Sequence, residues 1–277
     1  DESTSGSDFE AATAASLNDV VTETVRDVKD PTRAGSVLDA WGRRDSTVHR
    51  PLDLPANALG SGSDYTVFLN HLGVPVVEMG FDGPYGVYHS VYDDYYWMAH
   101  LGDPGFKYMT AMSEVWGRMA MRLANADVYP YDFALYAKRV GGFIDSLAAQ
   151  PSVGGQLDVS AAREAAAHWA SAAAALDSAL SIALAAPSSP TRSARLRAAN
   201  EAMRAMEQHF LEDSGIPGRP WFKHVLYAPK YTYAAMALPG VQEAVDEGDW
   251  ARARAQLAVV AAKLEAVAAA TRAAVPK

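Results

Sequence analysis

Hydrophobic and polar residues follow one another along this chain in two regimes. Up to about residue 125, helix-type spacing, short β-type runs and Gly/Pro punctuation are mixed; from about Tyr131 onward long alanine-rich helical patterns dominate. Over 8–28, Leu17, Val20, Val21 and Val25 fall at helical spacing and predict an amphipathic helix. Residues 29–57, rich in Pro, Arg and Asp, read as irregular. Asp64 is placed to cap a helix that runs through Val67, Phe68 and Leu72 and stops at Gly73. Val74 to Met79 is nearly all apolar, as expected of a strand buried on both faces. A polar, aromatic loop follows, then a helix from Asp103-Pro104 to about Asn125 with proline in its first turn. Helix, strand, loop and helix in that order predict an α/β layer, with too few strands for a whole sheet.

The second regime is more regular. Ser189-Pro190 opens a helix in which Leu196, Ala199, Met203, Met206 and Phe210 recur at steps of three and four. Asp249 caps another, with Trp250, Ala253, Leu257, Val260, Leu264 and Val267 in the same register. Such stripes need a partner helix, either within a bundle or across a dimer interface. With helices near 131–148 and 158–185, they predict a four-helix arrangement, and the Met and aromatic positions on the stripes read as core. The division predicted is an α/β portion over 1–125 and an all-α bundle over 126–277.

Composition narrows the functional classes. With 277 residues and 49% hydrophobic content the chain can bury a full core. Its net charge of −9 and scattered basic residues exclude a nucleic-acid footprint. No apolar run approaches the roughly 20 residues that cross a bilayer. There is no cysteine, so disulfides, thiolate catalysis and cysteine zinc sites are excluded. The opening Asp1-Glu2-Ser3-Thr4-Ser5-Gly6, without an initiator Met, reads as the start of a processed or excised piece.

Seven histidines are candidates for chemistry. His89, in Tyr88-His89-Ser90-Val91-Tyr92, follows the predicted strand, and ligands of α/β sheets gather beyond strand ends. It can be a zinc ligand or a structural histidine hydrogen-bonded in an aromatic loop. Asp1, followed by small polar residues and a helix, is typical of a strand end; alone it reads as a solvated acid. Leu59-Gly60-Ser61-Gly62-Ser63-Asp64 fits neither the G-x-S-x-G elbow nor the phosphate loop, and reads as a flexible turn capping a helix. His168, His209 and His224 sit on or near helical segments and read as structural.

Several separated segments nevertheless agree, in order, with one family. Leu59-Gly60-Ser61-Gly62-Ser63-Asp64-Tyr65-Thr66-Val67-Phe68 with Leu72-Gly73, then Tyr88 to Tyr92, Asp103-Pro104 and Phe106-Lys107-Tyr108, resemble the zinc peptidases typified by glutamate carboxypeptidase II (prostate-specific membrane antigen). Arg219-Pro220-Trp221-Phe222-Lys223-His224-Val225-Leu226-Tyr227-Ala228-Pro229 and Leu238-Pro239-Gly240 resemble the dimerisation domain this family shares with the transferrin receptor. The resemblance covers essentially the whole chain. It implies an α/β portion belonging to the sheet of a co-catalytic zinc exopeptidase, followed by a helical homodimerisation domain, in a secreted or periplasmic protein.

Carried over, the resemblance implies that Asp1 is a terminal ligand of one of two Zn²⁺ ions and His89 of the other. Tyr88 would lie beside the scissile group and hold the substrate or its developing oxyanion. Ser61, Gly62 and Ser63 would line the substrate cleft, and Tyr233 would border the pocket for the C-terminus of the peptide substrate. The bridging Asp, a further His, a metal-binding Glu and the general-base Glu belong upstream in this family. The isolated chain is therefore expected to be inactive without an N-terminal half. The sequence also departs from glutamate-specific members. Thr232 stands where they have a carboxylate-holding lysine, with Lys230 nearby, and Glu78, Gly80 and Phe81 occupy the neighbourhood of their arginine cluster. A broader amino- or carboxypeptidase is expected. The alternatives are a metal-free, receptor-like or dimerisation module, against which the presence of both Asp1 and His89 argues, and a stand-alone helical protein with an incidental α/β appendix.

Overall fold

A computed structural model describes residues 3–44, 59–230 and 233–276. In chain order its elements are β1 (Asp8–Thr13), α1 (Asn18–Arg26), α2 (Val37–Arg44), α3 (Tyr65–Asn70), β2 (Val77–Asp82) and the short α4 (Tyr95–Trp97). There follow α5 (Lys107–Asn125), α6 (Phe133–Ala148), α7 (Ser160–Ala185), α8 (Pro190–Arg204), β3 (Tyr227–Lys230), β4 (Ala234–Ala237), α9 (Pro239–Asp246) and α10 (Trp250–Ala273). The chain divides into two compact units: Asp1–Thr13, Leu17–Asn57 and Val77–Ala126 form the first, and Ala14–Ser16, Ala58–Val76 and Asp127–Lys277 the second.

In the first unit β1 and β2 pair antiparallel, Phe9 opposite Phe81 and Thr13 opposite Val77. The sequence reading is corrected here in two places. Residues 8–13 are strand rather than the start of a helix, because Phe9, Ala11 and Thr13 alternate inward with period two. Small Ala and Thr side chains carry that alternation, so the valines of α1 outweigh it in a hydropathy reading. The apolar run expected as a doubly buried strand also shifts three residues onward, and of Val77–Asp82 only Gly80 and Phe81 are buried. Among the described residues the strands make two separate two-stranded antiparallel sheets, so the expected α/β layer is not seen as such. Phe9 packs edge-on to Trp41 (5.0 Å) and Phe81 (5.4 Å), and Phe81 lies 5.0 Å from Tyr108 of α5. Burying such rings stabilises by roughly 1.5–3 kcal/mol each. The helix after Pro104 starts at Lys107. Asp103, buried, accepts the Lys107 and Met109 N–H groups at 3.0 and 2.9 Å and satisfies two otherwise orphan donors.

The helices of the second unit follow their patterning closely, but the antiparallel β3–β4 hairpin departs from the all-α bundle expected over 126–277. Ser189 caps α8 by accepting the Arg192 N–H at 3.1 Å, Pro190 takes the first helical position, and Asp249 caps α10 through the Arg252 N–H at 3.0 Å. The α8 stripe is buried as expected, but its last turn tightens: Met206–Phe210 is 3-10 helix. The α10 stripe, Ala253, Leu257, Val260, Leu264 and Val267, is buried within the chain itself, where α10 runs along the alanine face of α7. Of the two partners this stripe admitted, the bundle is the one realised. The Trp169 indole N–H donates to Thr271 Oγ1 at 3.2 Å across that interface. No helix among the described residues is long and apolar enough to cross a membrane.

One carboxyl in this bundle opposes folding at neutral pH. Burial, with the nearby charge of Asp132 second, pushes the Asp177 carboxyl up to about 6 from 3.8. A raised acid leaves stability intact below the unfolded value and lowers it as pH rises through roughly 4 to 6. Asp177→Asn should therefore stabilise the protein at pH 7.5 by about 1 kcal/mol, discounted for partial exposure. It should leave stability at pH 4 unchanged. Urea unfolding of both variants at the two pH values checks this.

Candidate functional site

The expected site residues that the structure describes fall into two clusters, one in each unit. In the first, β2 ends at Asp82 and the chain enters a turn in which the Ser90 N–H donates to Val87 O at 2.9 Å. His89 sits in that turn with φ +58°. A side chain in this left-handed region costs roughly 1–2 kcal/mol, so the surrounding structure must hold it there. The result is an exposed imidazole stacked on the Tyr88 ring, with centroids 3.9 Å apart. Among the described residues no hydrogen bond holds its ring nitrogens, unlike a structural histidine packed in a loop.

Tyr88 is itself 49% exposed and meets Tyr85 edge-on at 5.9 Å; Tyr85 lies 4.9 Å from Trp97 and its hydroxyl donates to Asp93. Asp94 is occupied as a cap, accepting the Trp97 N–H at 2.9 Å. The residues that follow Asp1 run beside β2: Phe81 N–H donates to Ser3 O at 3.0 Å, and Ser5 N–H to Phe81 O at 2.8 Å. Asp1 itself lies outside the described residues. The imidazole of His89 has the donor chemistry zinc takes, and among the described residues no hydrogen bond to it is found. Among the described residues, however, no three His, Asp or Glu side chains gather as a metal-binding group. His89 can thus be one ligand of a site and cannot constitute one.

The second cluster is built on glycine. Leu59 is fully buried, and the loop after it meets the tip of the β3–β4 hairpin. The Ser61 N–H donates to Tyr233 O at 3.2 Å. A Cβ on Gly60 would come within 2.0 Å of that same oxygen, and one on Gly62, whose φ is +116°, within 2.9 Å of the Tyr233 ring. Only glycine allows this approach. Ser61 Oγ pairs with Thr66 Oγ1 at 3.0 Å, and Thr66 bonds Ser63 O at 2.9 Å, so the loop is tied to α3. Ser61, Gly62, Ser63 and Tyr233 are thereby brought together, with Tyr233 56% exposed. Thr232 lies outside the described residues. Lys230 is engaged with Asp246 at 2.6 Å, a bond that holds the Asp246 carboxyl below its ordinary range.

The sequence reading missed what surrounds His224. This histidine is structural, as expected, but it shares the fully buried carboxylate Glu207 with Tyr136. An acid interrupting the apolar stripe Met203, Met206, Phe210 was the available signal.

Comparison with known proteins supplies the family. Residues 157–272 match the transferrin receptor-like dimerisation domain. The chain is 33% identical over 249 residues to a probable glutamate carboxypeptidase of Arabidopsis thaliana, an alignment covering 87% of this chain and 34% of that protein. It is 26% identical over 278 residues to an aminopeptidase of Mus musculus (91% and 36% covered). It is also 25% identical over 216 residues to a protein of Schizosaccharomyces pombe named an inactive zinc metalloprotease (73% and 27%). The chain spans about a third of the length of these curated relatives. Together the dimerisation-domain match and these relatives support a prostate-specific membrane antigen-like metallopeptidase C-terminal region, with residues 157–272 matching the transferrin receptor-like dimerisation domain.

Proposed function

We propose that the complete protein is a two-zinc exopeptidase in which this chain supplies Asp1 and His89, one terminal ligand to each metal, and that it works as a homodimer through the helical domain. The observation that carries this reading is the exposed imidazole of His89, held against its conformational preference in a left-handed turn beside Tyr88. Strain of this kind persists where the surrounding structure enforces it and concentrates at functional sites. The remaining ligands and the general-base Glu come from sequence upstream, so the chain alone is inactive.

Bound zinc supplies Lewis acidity and a water acidic enough to act as nucleophile near neutral pH. This chain's own residues orient the peptide. Tyr88 donates its hydroxyl to the oxygen that gains charge as the scissile carbonyl is attacked, an interaction that strengthens only in the transition state. Ser61, Gly62 and Ser63 offer backbone contacts to the substrate, and the exposed Tyr233 ring packs on its C-terminal residue.

Acidic substrates are disfavoured. Residues 77–106, which carry His89, hold Glu78, Asp82, Asp93, Asp94 and Asp103 and no lysine or arginine. Lys230 is already neutralised by Asp246. A neutral side chain meets less repulsion here than a carboxylate.

The name of the fission yeast relative favours a second reading, a metal-free dimeric binding protein. Metal analysis of the purified full-length protein separates the two. The enzyme reading expects about two zinc ions per chain, and His89→Ala should lower the apparent zinc affinity at least about 100-fold, more than the 10–100-fold typical of outer-shell partners. Tyr88→Phe should keep the metal and lower kcat by about 100-fold. Protein that purifies free of zinc, takes none up and cleaves no peptide establishes the binding-protein reading instead. Dipeptides with neutral C-terminal residues should be cleaved with kcat/KM about tenfold above their glutamate counterparts, a difference worth ~1.4 kcal/mol. Competition assays on paired substrates measure it.

A further inference from the structure

The buried acid Glu207 lies in the 3-10 turn after α8, 2% exposed, among residues that otherwise form the apolar core. Its Oε1 accepts the Tyr136 hydroxyl at 2.6 Å and faces His224 Nε2 at 2.9 Å. His224 is wholly buried, and its Nδ1 accepts the Leu226 N–H at 3.2 Å. That bond fixes the tautomer: the ring proton sits on Nε2 and is donated to Glu207. Tyr227, buried and the first residue of β3, stacks on the Tyr136 ring with centroids 6.3 Å apart. A carboxylate taken out of water costs several kcal/mol unless its bonds are well made, and apolar residues of similar size would serve packing alone at least as well.

The hairpin it touches needs such a fixture. Two short paired strands are marginal by themselves in water. At their base, Val225 N–H donates to Phe210 O and Leu238 N–H to Leu226 O, each at 3.0 Å. Between base and tip, Arg219 donates to Pro229 O at 2.6 Å. At the tip, Tyr233 meets Gly60 and Gly62 with no room even for a methyl group. Contact this close tolerates little displacement, so a tilt at the base is transmitted to the tip.

We infer that Glu207, His224, Tyr136 and Tyr227 form a buried clamp that sets the β3–β4 hairpin so that Tyr233 docks on the Ser61–Gly62 loop, which makes Glu207 a positioning residue. That this docking serves peptide binding rests on the function proposed above; the docking itself does not. Glu207→Gln keeps the shape but removes the charge, weakening the bonds that both donors make to the same oxygen, while Tyr136→Phe removes a single hydroxyl.

The test is amide hydrogen exchange in the full-length protein, followed at Ser61, whose N–H is the bond to Tyr233, and along α10 in the same unit. Exchange at Ser61 should accelerate about tenfold in either variant, the net worth of about one hydrogen bond, with α10 nearly unchanged. Unchanged exchange at Ser61, or equal acceleration at Ser61 and α10, overturns the inference, since the cluster would then contribute general stability alone. If Glu207→Gln does not fold, Tyr136→Phe carries the same comparison. No substrate or metal is involved, so an inactive, zinc-free protein would sink the peptidase reading and leave this result standing. In an active enzyme, both variants should raise KM about fivefold, within the worth of one hydrogen bond, with kcat preserved.

Discussion

The packing of α7 along α10 is the constraint on which the helical unit depends. One helix offers alanines, Ala162, Ala165, Ala166, Ala172 and Ala173, and the other offers Leu257, Val260, Leu264 and Val267. Small against large lets the axes approach while the larger side chains fill the space between them. Thr271 joins the two helices by accepting from Trp169 while donating to Val267 O at 2.7 Å. The remaining parts of the unit build outward from this pair. Rings from Trp169 through Tyr136 and Phe210 lead to Glu207 and His224, and His224 leads to the hairpin that presents Tyr233. An apolar seam thus sets the position of a polar tip through a short chain of buried groups.

The two clusters use opposite means to keep a group available. Around Ser61 and Gly62, side chains are absent where the hairpin comes close, and backbone meets backbone. At His89 a side chain is present in a conformation that suits glycine better, and its imidazole is exposed. Neither arrangement contributes to the core. Both are places where the local preference of the chain is overridden, as expected where a surface is shaped for a ligand.

Much of the helical unit was legible from spacing and caps. Ser189-Pro190 and Asp249 begin helices where the sequence says they should, and every apolar position of the α10 stripe after Trp250 is buried. The first unit was less so, for a physical reason. In β1 the inward positions are Phe9, Ala11 and Thr13, and only the phenylalanine is a large apolar side chain, whereas α1 next to it carries three valines. Periodicity read by hydropathy follows the larger side chains. The site residues divide in the same way. Gly60 and Gly62 belong to a recognisable motif, yet their reason, the approach of Tyr233 from more than a hundred and fifty positions away in sequence, is visible only in three dimensions. Glu207 stood in plain view as an acid in an apolar stripe, but its partners Tyr136 and His224 come from other elements, and no local pattern joins them.

The central claim concerns a single nitrogen. In the full-length protein the His89 imidazole should bind zinc, and crystals measured on either side of the zinc absorption edge would locate the ion directly. The account predicts an anomalous peak at about 2.0–2.1 Å from a ring nitrogen of His89, with a second zinc close by. A solvent-facing His89 with no anomalous density, in crystals grown with zinc present, would contradict it.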